Sequence, residues 1–98
     1  MRLTRSEIEA VVRAVREVFG ETARARVFGS RARDDLKGGD LDLLVEVDPG
    51  AFSIAGEQRL RDLISPALDD LRVDLVIHER GRPLTPIAGI ALRDGVPL

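Results

Sequence analysis

Asp40 and Asp42 stand one leucine apart at the head of the most hydrophobic segment of the chain, DLDLLVEV from Asp40 to Val47. A third acid, Asp74, sits inside a second apolar run, Arg72 to Ile77. Carboxylates in such runs cost stability unless a cation lies against them. In a strand, residues two apart project to one face, so Asp40 and Asp42 point together with Cα atoms roughly 6.5–7 Å apart. Leu41, Leu43 and Val45 take the opposite face, toward helices. Two carboxylates at this separation can hold one or two hard cations that prefer oxygen ligands. Such acids commonly bridge two-metal sites with ions roughly 3.5–4 Å apart. If the strand of Asp74 lies beside that of Asp42, a third oxygen ligand joins them. Without a cation, an acid pair about 6 Å apart repels by roughly 3 kcal/mol at an effective dielectric near 20.

Ten residues before Asp40, an apolar run ends in Gly29-Ser30. Glycine lets backbone approach a ligand closely, and a serine hydroxyl with adjacent N–H groups can hold a phosphate at a helix N-terminus. Each feature also has a plain structural reading. Asp-x-Asp occurs widely at strand starts and turns, and Ser30 can serve as a helix N-cap alone. The combination is what points to chemistry: strand, Gly-Ser, short helix, acid pair. Basic residues cluster at Arg24, Arg26, Arg31 and Arg33, either as a solvated face or in phosphate contact.

The elements that must position these residues can be read in order. Thr4-Arg5-Ser6-Glu7 forms a capping box, with Leu3 and Ile8 placed as a hydrophobic staple. Ile8, Val11, Val12, Val15, Val18 and Phe19 recur at helical spacing, and Gly20 is a stop, which predicts a helix over 5–19. A first strand is expected over 23–28, a helix of about two turns over 31–37, and a second strand over 40–47 after Gly38-Gly39. Asp48-Pro49-Gly50 is a turn. A helix follows over 53–64 with Ile54, Leu60, Leu63 and Ile64 as its apolar positions. Ser65-Pro66 then suits a cap and a separate short turn reaching Leu71. A third strand is expected over 72–77, with His78 on an exposed connection and given no role. Thr85-Pro86 opens a last helix over Ile87, Ile90, Ala91 and Leu92, closed by Asp94-Gly95.

The 98 residues fit a single domain, 1–98, with one core. Apolar content of 44% and charged content of 33% are those of an ordinary globular chain. No apolar run approaches the roughly 18–20 residues of a membrane helix, and MRLTRSEIEA has no signal-like core. Absence of cysteine excludes disulfides and thiolate zinc, which makes the cytoplasm the expected location. A net charge of −2 and the lack of Trp and Tyr argue against direct nucleic-acid binding.

At this point the sequence resembles the nucleotidyltransferase superfamily of DNA polymerase β type. More narrowly it resembles minimal nucleotidyltransferase (MNT) domains, MntA-like, many of which are antitoxins paired with HEPN-domain partners. FGSRAR, GGDLDLLVEVDPG, RVDLVI and IALRDGVPL carry the likeness over nearly the whole chain. It implies an α/β (α+β) nucleotidyltransferase fold, a small mixed sheet of three to four strands flanked by helices. By resemblance, Gly29 and Ser30 hold the β- and γ-phosphates of ATP, and Asp40 and Asp42 bind Mg²⁺. Asp74 completes the metal site and helps deprotonate the attacking hydroxyl. The implied reaction moves a nucleoside monophosphate to a hydroxyl, with pyrophosphate leaving. The family often reads Ala-Arg-Gly where this chain has Ala32-Arg33-Asp34, and often Ser where it has Gly39. Neither departure removes a proposed ligand, although Asp34 places an acid near the phosphate turn.

Larger superfamily members carry extra domains that shape an acceptor pocket, and 98 residues leave little surface for one. The expected acceptor is therefore a hydroxyl of a partner protein, by resemblance a tyrosine of a HEPN toxin that receives AMP. Homo- or hetero-oligomeric assembly is compatible with that reading. The alternatives are an antitoxin that neutralises its partner by stoichiometric binding without catalysis, and transfer to a small molecule.

Overall fold

The computed structural model describes residues 3–29, 41–69 and 71–98. The expected helix over 31–37 and the residues Ser30, Arg31, Arg33, Asp34, Gly39 and Asp40 lie outside them. The elements run α1 (Arg5–Phe19), β1 (Arg24–Phe28), β2 (Leu41–Val47), α2 (Ile54–Ala67), β3 (Val73–Glu79), α3 (Pro86–Asp94) and β4 (Val96–Pro97). The sheet order is β3-β2-β1-β4. β1 pairs antiparallel with β2 and β4, whereas β2 and β3 are parallel and joined through α2. This is the mixed sheet with flanking helices that the sequence implies.

α1 begins as the capping box requires. Glu7 N–H donates to Thr4 Oγ1 at 3.2 Å, and Thr4 N–H donates to Glu7 Oε1 at 2.8 Å, so two otherwise unpaired helix-start donors are satisfied. Its buried face is Val11, Ala14, Val15 and Phe19. With Leu60 and Ile64 of α2 this face covers one side of the sheet, packing on Ala25, Val27, Leu41, Leu43, Val45 and Val47. Truncating a fully buried leucine here, such as Leu60, should cost about 2–5 kcal/mol. α3 covers the other side, where Ala88 and Ala91 meet Phe28 and Leu44, with Val76 and Leu92 alongside. Gly95 caps α3 by donating its N–H to the Ala91 carbonyl, which a side chain at that position would overlap, and the chain then turns directly into β4.

Three expectations are corrected. The break at Ser65-Pro66 does not occur, and α2 is continuous to Ala67 with Pro66 inside it. Proline inside a helix loses a backbone bond and crowds the preceding turn. Here the stripe of Leu60, Ile64 and Leu68, all buried, holds the last turn in place, and the helix ends one residue later. His78 is not on a connection: it lies within β3, partly buried, with Glu46 as its register partner. Several assigned apolar positions are wet, with Ile54 80% exposed and Ile87 and Ile90 each 49%.

Candidate functional site

Alternation along β2 divides its side chains between two faces. Leu41, Leu43, Val45 and Val47 enter the α1–α2 core, whereas Leu44 packs under α3. Asp42 therefore lies on the α3 face, at the start of the strand and only partly buried. The parallel register sets Asp42 opposite Asp74 on β3, and the antiparallel register sets it opposite Phe28 on β1. Across the sheet the row reads Phe28, Asp42, Asp74. Asp42 is thus flanked by the Phe28 ring on one side and by the Asp74 carboxylate on the other.

Neighbouring strands lie about 4.8 Å apart, so the two carboxylates emerge side by side from one face. Asp74 is 46% exposed at its side chain, and its Oδ1 lies 3.5 Å from Nε of Arg72. That pair is solvated and contributes at most about 1 kcal/mol. It nonetheless shows a cation already drawn to the acids. Sequence reasoning passed over Arg72. The signal was present, because Arg72 and Asp74 are two apart and share a strand side.

Gly29 closes the third side. It follows Phe28 at the end of β1 with φ of 70°, a left-handed conformation that favours glycine. A Cβ at this position would overlap Oδ2 of Asp42 and lie 3.2 Å from its Cγ. The glycine that sequence analysis assigned to close phosphate approach thus also makes room for the Asp42 carboxylate.

The structure brings together Gly29, Asp42 and Asp74, while Ser30 and Asp40 lie outside the described residues. Two adjacent carboxylates are hard oxygen donors of the kind Mg²⁺ takes, usually alongside waters and substrate phosphates. Among the described residues, no group of three or more His, Cys, Asp or Glu side chains comes together as a metal cage. Asp42 and Asp74 fit such an ion as a partial donor set. A surface depression runs along α1 past Ile8, Val12, Arg13 and Arg16 to Glu21 in the turn that follows, and neither Asp42 nor Asp74 lines it.

At the far end of the sheet a polar clamp ties three segments together. Asp48 accepts from Thr22 Oγ1 and from Arg80 Nη1, and Arg80 Nη2 donates to Thr22 O at 2.8 Å. The Thr22 hydrogen bond and then the Arg80 guanidinium hold the Asp48 carboxyl below its usual range. This clamp joins the start of β1 to the ends of β2 and β3, the end of the sheet opposite Asp42 and Asp74.

No helix among the described residues is long and apolar enough to cross a membrane. Residues 8–91 match the family described as Nucleotidyltransferase domain. No curated protein matches the chain.

Proposed function

The chain belongs to the nucleotidyltransferase-domain family, and on that premise we propose that it transfers AMP from Mg-bound ATP to a hydroxyl of a partner protein. The partner proposed is a HEPN-domain toxin in the cytoplasm, which would make the chain its antitoxin. The observation that carries the reading is the register pairing of Asp42 with Asp74 on one face, with the Asp42 carboxylate seated over Gly29.

In this reading Asp42 and Asp74, with Asp40, would hold Mg²⁺. When bound, the ion neutralises charge on the attacking and leaving oxygens of an in-line displacement. Asp74, with a side chain 46% exposed, would accept the proton of the incoming hydroxyl. Gly29 and Ser30 would receive the phosphates, since a glycine without Cβ allows close backbone approach. The bond formed is between the acceptor oxygen and the α-phosphorus; the bond broken is between that phosphorus and the α–β bridging oxygen, which leaves with pyrophosphate.

One observation favours a second reading, in which the chain neutralises its partner by binding alone. Arg72 already sits on Asp74, as it would if the acids were retained without a metal. Intact-mass measurement separates the two. After co-expression with the neighbouring gene product, the partner should gain AMP in a Mg-ATP-dependent manner. Suppressed toxicity with an unmodified partner would instead establish the binding reading.

A further inference from the structure

β3 is an outer strand of the sheet, paired only with β2 among the described residues. Two backbone bonds fix which of its groups look outward. Leu41 N–H donates to Arg72 O at 3.0 Å, and Arg80 N–H donates to Val47 O at 2.9 Å. Parallel pairing alternates residue by residue, so the even-numbered residues of 72–80 direct their N–H and C=O groups to β2. Val73, Leu75, Ile77 and Glu79 direct theirs away from the sheet.

The two ends of this edge are occupied. Arg61 Nη1 of α2 donates to Val73 O at 2.7 Å, and Arg82 N–H donates to Glu79 O at 3.2 Å. Between them, the outward groups of Leu75 and Ile77 have no partner among the described residues. Edge strands are usually kept from pairing by brevity, proline or lysine. β4, the other edge, uses two of these devices, being only Val96–Pro97. β3 is seven residues long, VDLVIHE, with no proline or lysine, and its acids, Asp74 and Glu79, lie toward its two ends.

We propose that the β3 edge pairs antiparallel with the β3 edge of a second copy of this chain about a twofold axis. The end-to-end register aligns the full strand: Val73 with Glu79, Asp74 with His78, Leu75 with Ile77, and Val76 with itself. Leu75 and Ile77 then exchange about four backbone bonds across the axis. Their side chains meet on the α2 face, and on the α3 face each Asp74 carboxylate lies opposite the imidazole of the other copy's His78. That juxtaposition sets a residue of the second copy beside the Asp42–Asp74 pair. Shifting the register by two residues shortens the overlap. It sets Asp74 against either Val76 or Arg80, and Arg80 is already held by Asp48 and Thr22. Apolar surface flanks the seam. Phe52, 38% exposed, shares a surface depression with Ile77, and Ile54 lies seven residues before Arg61, on the same side of α2. A seam confined to one strand from each copy belongs among the small, transient interfaces, so dimerisation is expected to depend on concentration.

Sedimentation equilibrium of the full chain from about 1 to 200 µM tests the dimer, and engineered cysteines test the register. The chain has no cysteine of its own. Val76→Cys would face itself at a non-hydrogen-bonded position with Cα atoms about 4.5 Å apart, within disulfide reach. The expected result is a concentration-dependent dimer, with Val76→Cys cross-linking at least about tenfold faster than Leu75→Cys under mild oxidation. Ile77→Pro removes an outward N–H and no bond to β2, and should weaken the dimer by at least about tenfold while the circular dichroism is retained. If that variant fails to fold, the cysteine pair decides alone. A monomer at every concentration, equal cross-linking at both cysteines, or a dimer unchanged in folded Ile77→Pro would overturn the proposal. So would a chain that stays monomeric and accepts only a partner protein's strand on this edge. None of these readouts depends on nucleotide transfer.

Discussion

The carboxylate of Asp42 lies where the side chain of any residue but glycine at position 29 would begin. Gly29 is left-handed at the end of β1, and Asp42 sits near the start of β2 as the neighbour of Asp74. Gly29→Ala therefore meets both a conformational penalty of roughly 1–2 kcal/mol and a collision with Asp42. The cost in stability should be smaller when Asp42→Ala is made first, because the collision partner is gone. Urea denaturation of the four members of this double-mutant cycle measures the coupling. Strictly additive effects would show that the two residues do not share the space.

Asp74→Asn separates a functional acid from a structural one. Among the described residues its ion-pair partner is the solvated Arg72, so the apo protein should change by no more than about 1 kcal/mol. On the proposed reading, which makes Asp74 a metal ligand and proton acceptor, transfer activity should fall by at least about 100-fold. Unfolding curves and initial rates on the same preparation decide the matter. A large loss of apo stability would favour Asp74 as a structural residue.

Binding of Mg-ATP should be visible as stability. At about ten times its Kd a ligand specific to the native state adds ~1.4 kcal/mol, which for a domain of this size raises Tm by roughly 5–10 °C. The shift should vanish with EDTA. No shift at millimolar Mg-ATP would count heavily against a working nucleotide site.

The clamp at the far end makes an acid-side prediction. Asp48 has a folded pKa below that of the unfolded chain, because it accepts from Thr22 and Arg80. A depressed carboxylate contributes stability that is fully present above its unfolded pKa, near 3.9. The contribution is lost as pH falls through the lower folded value. Asp48→Asn should therefore lower Tm near neutrality, and the gap to wild type should close below about pH 4. A gap that persisted at low pH would mean that the charge of Asp48 is not what holds the clamp.

How much could be read in advance differs element by element. α1 was legible to its end residues, because a capping box and an apolar period of 3.6 are local signals. β2 was legible as an apolar run, and its division into a core face and an acid face followed from alternation. The end of β3 was not, since His78 and Glu79 are polar. They belong to the strand through pairing with Glu46 and Val47, which lie far off in sequence. Ile54, Ile87 and Ile90 misled for the converse reason: periodicity marks an apolar side chain but not whether a neighbour exists to cover it. At the site, the acids were nameable from sequence, yet their adjacency depended on strand order, a non-local fact. The contact of Gly29 with Asp42 could not be anticipated, for it depends on where β1 ends relative to β2.

Phosphate-specific labelling tests the central claim most directly. The chain and its co-expressed partner are incubated with Mg²⁺ and ATP labelled at either the α- or the γ-phosphate, alongside Asp42→Asn and Asp74→Asn. The account predicts that the α label reaches the partner, that the γ label leaves with pyrophosphate, and that either substitution abolishes transfer. Transfer of the γ label, or α-label transfer that survives both substitutions, would contradict it.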